Sequence, residues 1–103
     1  MKTMTFSFAA GPTTASWIVP RDVRLQGIGA SGGASFIVSD NPALLSSDFT
    51  GPGATVQRQG VYFGHHGSSG NGDFRAPANI PVAKGQTIYV NCSGSGSVIL
   101  YYD

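Results

Sequence analysis

Thr87-Ile88-Tyr89-Val90-Asn91-Cys92, then Ser93-Gly94-Ser95-Gly96, then Ser97-Val98-Ile99-Leu100-Tyr101-Tyr102 is the stretch on which the fold turns. In its first run Ile88, Val90 and Cys92 alternate with Thr87, Tyr89 and Asn91, the period of a strand with one face on a core. The Ser/Gly run reads as the turn of a hairpin. The second run is apolar on both faces, so that strand is expected to be central to the fold or covered by a partner subunit. Just upstream, Ala83-Lys84-Gly85-Gln86 reads as a tight turn in which Gly85 supplies a positive φ.

The same period recurs toward the N-terminus. Met4, Phe6 and Phe8 alternate with Thr3, Thr5 and Ser7. After a turn at Gly11–Thr14, Trp17 and Val19 point inward, and Pro20 ends that strand because it lacks a ladder donor. Val23 and Leu25 face in and Arg24 and Gln26 out; the Gly29–Gly33 run turns the chain; Phe36 and Val38 return to the core. Asn41-Pro42 is a cap-and-first-turn pair, so one or two helical turns are expected there, with Leu44 and Leu45 docking. Gly53–Gly64 reads as one strand with a bulge at Gly60 or as two strands split there. Gly64–Ala76 reads as loop and Pro77–Pro81 as an extended connector. The total is roughly seven or eight short strands, which predicts an all-β, two-sheet antiparallel β-sandwich, jelly-roll-like, in a single domain over residues 1–103.

Composition narrows the function. Only 11% of residues are charged, against about 25% in ordinary domains. The net charge is +1 and the six basic residues are scattered, so no basic stripe follows a phosphate backbone and nucleic-acid binding is not expected. Thr and Ser interrupt every apolar run near the start, which reads as neither signal peptide nor membrane span. Cys92 is the single cysteine, so no intrachain disulfide can form and a reducing origin is expected. Asn91-Cys92-Ser93 fits the N-glycosylation pattern by letter only.

Three motifs invite chemistry. Gly64-His65-His66-Gly67-Ser68-Ser69-Gly70-Asn71-Gly72-Asp73 gathers both histidines beside two serines and an aspartate. Adjacent residues of an extended segment point to opposite sides, and a zinc site or a Ser–His–Asp centre needs rigid supports. A glycine-rich loop is therefore expected, with no metal, no cofactor and no enzymatic activity. Gly27-Ile28-Gly29-Ala30-Ser31-Gly32 spells a dinucleotide fingerprint, but a β-branched, alternating run follows where a helix is required. It reads as a glycine-rich turn between strands. The aspartates sit near turns, where their side chains bond local backbone N–H groups. The aromatics remain: some of Tyr62, Phe63, Tyr89, Tyr101 and Tyr102 must face outward. With His65, His66 and Asn71 on the loop, they are the candidate partner contacts.

Two stretches carry a resemblance. Ala15–Pro42, an aromatic strand ending in Val19-Pro20 with a second strand and a glycine-rich turn after it, resembles small jelly-roll-like phage virion proteins. Ile80–Asp103, a Lys84-Gly85-Gln86 turn, an alternating strand, a Gly/Ser turn and an aromatic last strand, resembles their closing hairpin. The resemblance implies a capsid decoration (cement) protein or a fibre domain. Such a protein would be made in the host cytoplasm and carried on the capsid surface of the virion. It would bind major coat protein subunits, as a homo-oligomer or in repeated copies, and no membrane. The rival expectation is a carbohydrate-binding, lectin-like module or a receptor-binding fibre domain using the outward tyrosines, His65, His66 and Asn71.

Overall fold

The alternating N-terminal run forms β1 (Lys2–Phe8) in the computed structural model, which describes residues 1–31, 35–45, 61–65, 72–74 and 79–103. It is followed by β2 (Thr13–Ile18), β3 (Val23–Ser31), β4 (Phe36–Ser39), β5 (Val61–His65), β6 (Gly72–Phe74), β7 (Ile80–Val82), β8 (Thr87–Cys92) and β9 (Gly96–Tyr102). One sheet runs β1-β9-β3-β6, with β7 also on β3, and the other runs β2-β8-β4-β5. β7 pairs with Val23–Leu25 and β6 with Ile28–Ala30, so the two segments lie end to end in one lane. Each sheet therefore has four lanes, and every pairing is antiparallel.

The lane order has a simple origin. β1 pairs β9, β2 pairs β8, β3 pairs β6 and β7, and β4 pairs β5. That is one long antiparallel hairpin, with its tip between β4 and β5, folded over on itself. The wrapping adds the β3–β9 and β4–β8 seams. A double-sheet sandwich made this way is a jelly roll.

Between the sheets lie Phe6, Phe8, Val23, Leu25, Ile28, Phe36, Val38, Ile88, Val90, Val98 and Leu100, all buried. Fully burying a side chain of this size stabilises by roughly 1.5–3 kcal/mol. Trp17 and Tyr102 close one end of the core, their rings tilted at 52° with centroids 5.0 Å apart. β9 is a central lane, with Val98 and Leu100 buried in the core and Ile99 and Tyr101 half-buried on the outer face of the sheet.

Two bulges reset the side-chain alternation. Leu25 stands opposite Tyr102 and Gly27 opposite Tyr101, leaving Gln26 as an extra residue. The parity flips there, so Val23 and Leu25 before it and Ile28 after it all reach the core. In β5, Val61 faces Ser39 and Phe63 faces Val38, which makes Tyr62 the extra residue.

Several expectations change. The Ser93–Gly96 turn is not a hairpin: β8 and β9 belong to different sheets, and the turn arches across the core. Among the described strands only β4 and β5 pair as chain neighbours within a sheet. Gly27–Ser31 is not a turn but the second half of β3, ladder-bonded to β9 on one side and to β6 on the other. These two ladders outweigh the low strand propensity of glycine. Gly64–Ala76 is not wholly loop, since β5 reaches His65 and β6 begins at Gly72. The expected connector ends as β7, where Pro81 occupies an edge lane that tolerates it. Residues 53–60 lie outside the described residues.

At Asn41 the cap forms without a helix among the described residues. Asn41 Oδ1 accepts the Ala43 N–H at 2.9 Å, and Leu44 N–H donates to the Asn41 carbonyl at 3.2 Å, closing one turn. The Gly85 expectation holds. Its φ is +87°, and Gln86 N–H donates to the Ala83 carbonyl at 3.1 Å. The turn is tied down from outside: Gly85 N–H donates to Val19 O, and Lys84 N–H to Asp22 Oδ1.

Candidate interaction surface

The eight sequence candidates do not converge on one spot. Phe63 is buried in the core. Tyr102 turns inward against Trp17. Tyr62, at its bulge, packs half-buried beside the core, and burial, with a smaller contribution from the Asp40 charge, raises its phenol pKa above the ordinary 10.0. Tyr89 and Tyr101 both face outward and are half-buried, but on opposite sheets. The backbone of His65 pairs with Phe36 at the end of β5. The His65 side chain, His66 and Asn71 lie outside the described residues, as do Ser68 and Ser69.

What the register does assemble is a grid on the outer face of the β1-β9-β3 sheet. Thr3 stands opposite Tyr101, which stands opposite Gly27. Thr5, Ile99 and Gly29 form the next row, and Ser7, Ser97 and Ser31 the third. None of these nine positions carries a charge. The hydroxyls of Ser31 and Ser97 are joined at 2.6 Å. Gly27 and Gly29 have no side chain, which leaves the β3 column low beside Tyr101 and Ile99. Sequence reasoning picked out Tyr101 alone; the signal for the rest was the Thr3/Thr5/Ser7 alternation, which reads as an ordinary wet face until its neighbours are known.

The outer face of the other sheet differs. Ile37, Ser39 and Asn91 are buried there although they point away from the core cluster. Asn91 Nδ2 donates to Thr14 Oγ1 at 2.9 Å and to the Thr13 carbonyl at 3.3 Å, tying β8 to β2. Cys92 faces the core as a free thiol, its Sγ 3.4 Å from the Gly94 carbonyl.

A groove of about 490 Å³ opens where β3 meets β7. Asp22, Arg24, Gln86 and Asp103 line it over a floor that includes Val23 and Val82. Asp22 is already engaged by the Lys84 N–H, and the Asp103 carboxylate lies 3.5 Å from the Met1 amine. Compared with known proteins, the chain matches no family model, no curated protein and no solved structure.

Proposed function

We propose that this protein is a structural binding module of a repetitive assembly, a virion decoration protein that docks on coat subunits through the outer face of the β1-β9-β3 sheet. The uncharged three-by-three grid centred on Ile99 carries this reading. Interface centres are depleted of charge and enriched in aromatic residues, and the nine grid positions carry no charge and set Tyr101 beside Ile99. The jelly-roll lane order supports it by analogy of fold, a weaker warrant because one fold hosts many functions. Many identical weak contacts on a symmetric shell would add by avidity. The test is co-sedimentation with coat-protein shells, read together with the thermal stability of the shells. Wild-type protein should co-sediment and stabilise them, and Ile99→Lys should lose both effects while keeping its β-sheet circular dichroism. Absence of binding by the wild type, or full binding by Ile99→Lys, refutes the proposal.

The groove beside β7 favours a second reading, a carbohydrate-binding module. Carboxylates, a guanidinium and an amide over an apolar floor are the groups that recognise sugar hydroxyls. Specific glycan-array binding that Arg24→Ala abolishes would establish it.

A further inference from the structure

Among the described strands none pairs the outer edge of β1, and that edge carries a second inference, which stands on strand geometry and does not require the docking role. Arg24 N–H donates to Asp103 O at 3.0 Å, and Asp103 N–H donates to Arg24 O at 2.9 Å. Both backbone groups of Asp103 therefore point toward β3. In an extended chain the next residue points the opposite way, so Tyr102 bonds toward β1. The β1–β9 register is unbroken from Lys2↔Tyr102 to Phe8↔Gly96. Lys2, Met4, Phe6 and Phe8 consequently face β9, and Thr3, Thr5 and Ser7 present their N–H and C=O groups along the open edge.

Such an edge is a template for another strand unless it is blocked, and the usual blocks are proline, a bulge or inward charge. β1 has no proline and no bulge, and its one charge, Lys2, which shares the core-side face with Met4, stands at the rim and leaves Thr3–Ser7 unblocked. β7, in the lane on the far side of this sheet, carries Pro81. β2 is shorter and lies between Pro12 and Pro20.

We propose that β1 pairs with β1 of a second copy of this chain, antiparallel, about a two-fold axis at Thr5. The edge is complementary to itself. Thr5 meets Thr5, and Thr3 meets Ser7 at either side; three hydrogen-bonded pairs exchanging two bonds each give roughly six backbone hydrogen bonds. Hydroxyl-bearing pairs of this kind are favourable across strands. On the core side the half-buried Met4 falls opposite Phe6 of the second copy, in the closer, non-hydrogen-bonded spacing. The Lys2 residues lie at opposite ends of the pair and do not repel. The two four-lane sheets join into one continuous sheet, and the two uncharged grids lie side by side on one face.

Sedimentation equilibrium of the isolated chain from about 10 µM to about 1 mM tests the pairing, a range suited to an interface built mainly on one strand edge. The wild type should approach twice the monomer mass. Thr5→Lys, which places two ammonium groups face to face at the axis, should weaken association at least about tenfold. Ser16→Lys on β2 should leave it unchanged. Thr5→Cys should oxidise to a covalent dimer, because a hydrogen-bonded pair spaces its Cα atoms about 5.5 Å apart, within the disulfide range. A monomeric wild type at every concentration overturns the proposal. So does undiminished dimerisation of Thr5→Lys, or loss of the dimer through Ser16→Lys. Because no coat protein is present, failure here is separate from failure of the docking role.

Discussion

Replacing Gly85 with alanine isolates one backbone torsion. Gly85 sits at φ +87° in the Ala83–Gln86 turn, and a Cβ placed there meets nothing within 4 Å. Packing therefore contributes no penalty, and the whole effect is conformational. An L-residue held in the left-handed region costs roughly 1–2 kcal/mol. Stiffening the unfolded chain by exchanging glycine for alanine returns about 0.4–1 kcal/mol. The net loss is about 1 kcal/mol, which for a domain of this size lowers Tm by about 4–8 °C. Equilibrium unfolding in urea should show a lower midpoint with an unchanged slope. A chemically synthesised chain with D-alanine at this position should match or exceed the wild type, because its Cβ suits positive φ and keeps the entropic gain. A D-alanine variant as unstable as the L-alanine one would refute the reasoning, since it would mean that contact and not torsion decides the site.

Gly11→Ala should behave differently, because its Cβ would lie 2.4 Å from the Ser93 carbonyl carbon and 2.5 Å from the Gly94 nitrogen. Both are backbone atoms of the β8–β9 arch, so the loss should reach about 3 kcal/mol, the upper end for overpacking, as measured by urea unfolding. Leu100→Ala, at a position with no solvent exposure in central β9, should cost about 2–5 kcal/mol in the same assay. Tyr62 sets an alkaline limit. Its folded-state pKa is raised by burial and then by Asp40, so its contribution is intact below the ordinary value of 10.0 and is lost as pH rises through the folded one. Tyr62→Phe should remove that part of the alkaline fall in the urea midpoint.

The sequence announced the strands better than their partners. Met4/Phe6/Phe8 and Ile88/Val90/Cys92 alternate cleanly because each buries one face, and that pattern is the same whatever lies beside the strand. It is also the same in a hairpin and in an arch. Ser93–Gly96 could join β8 to β9 in either way, and only the competing ladders, β8 on β2 and β9 on β1, select the arch. Bulges hide similarly. Inward positions that shift from Leu25 to Ile28 look like the end of a strand, and two glycines reinforce that impression. The outer-face grid was hardest to see, because its rows are drawn from β1, β3 and β9, and their adjacency is wholly non-local.

The β1–β9 ladder also decides how the molecule would respond to force. Lys2 lies opposite Tyr102 and Phe8 opposite Gly96, so both outer ends of the ladder leave the same corner, where the Met1 amine meets Asp103. Tension applied through residues 1 and 103 would fall on the Lys2–Tyr102 pair alone and peel the strands apart one pair at a time, as a zip opens. Tension applied along the strands would load all seven pairs together in shear. A tether at that corner would therefore make a weak handle on a domain that resists well when gripped by its faces.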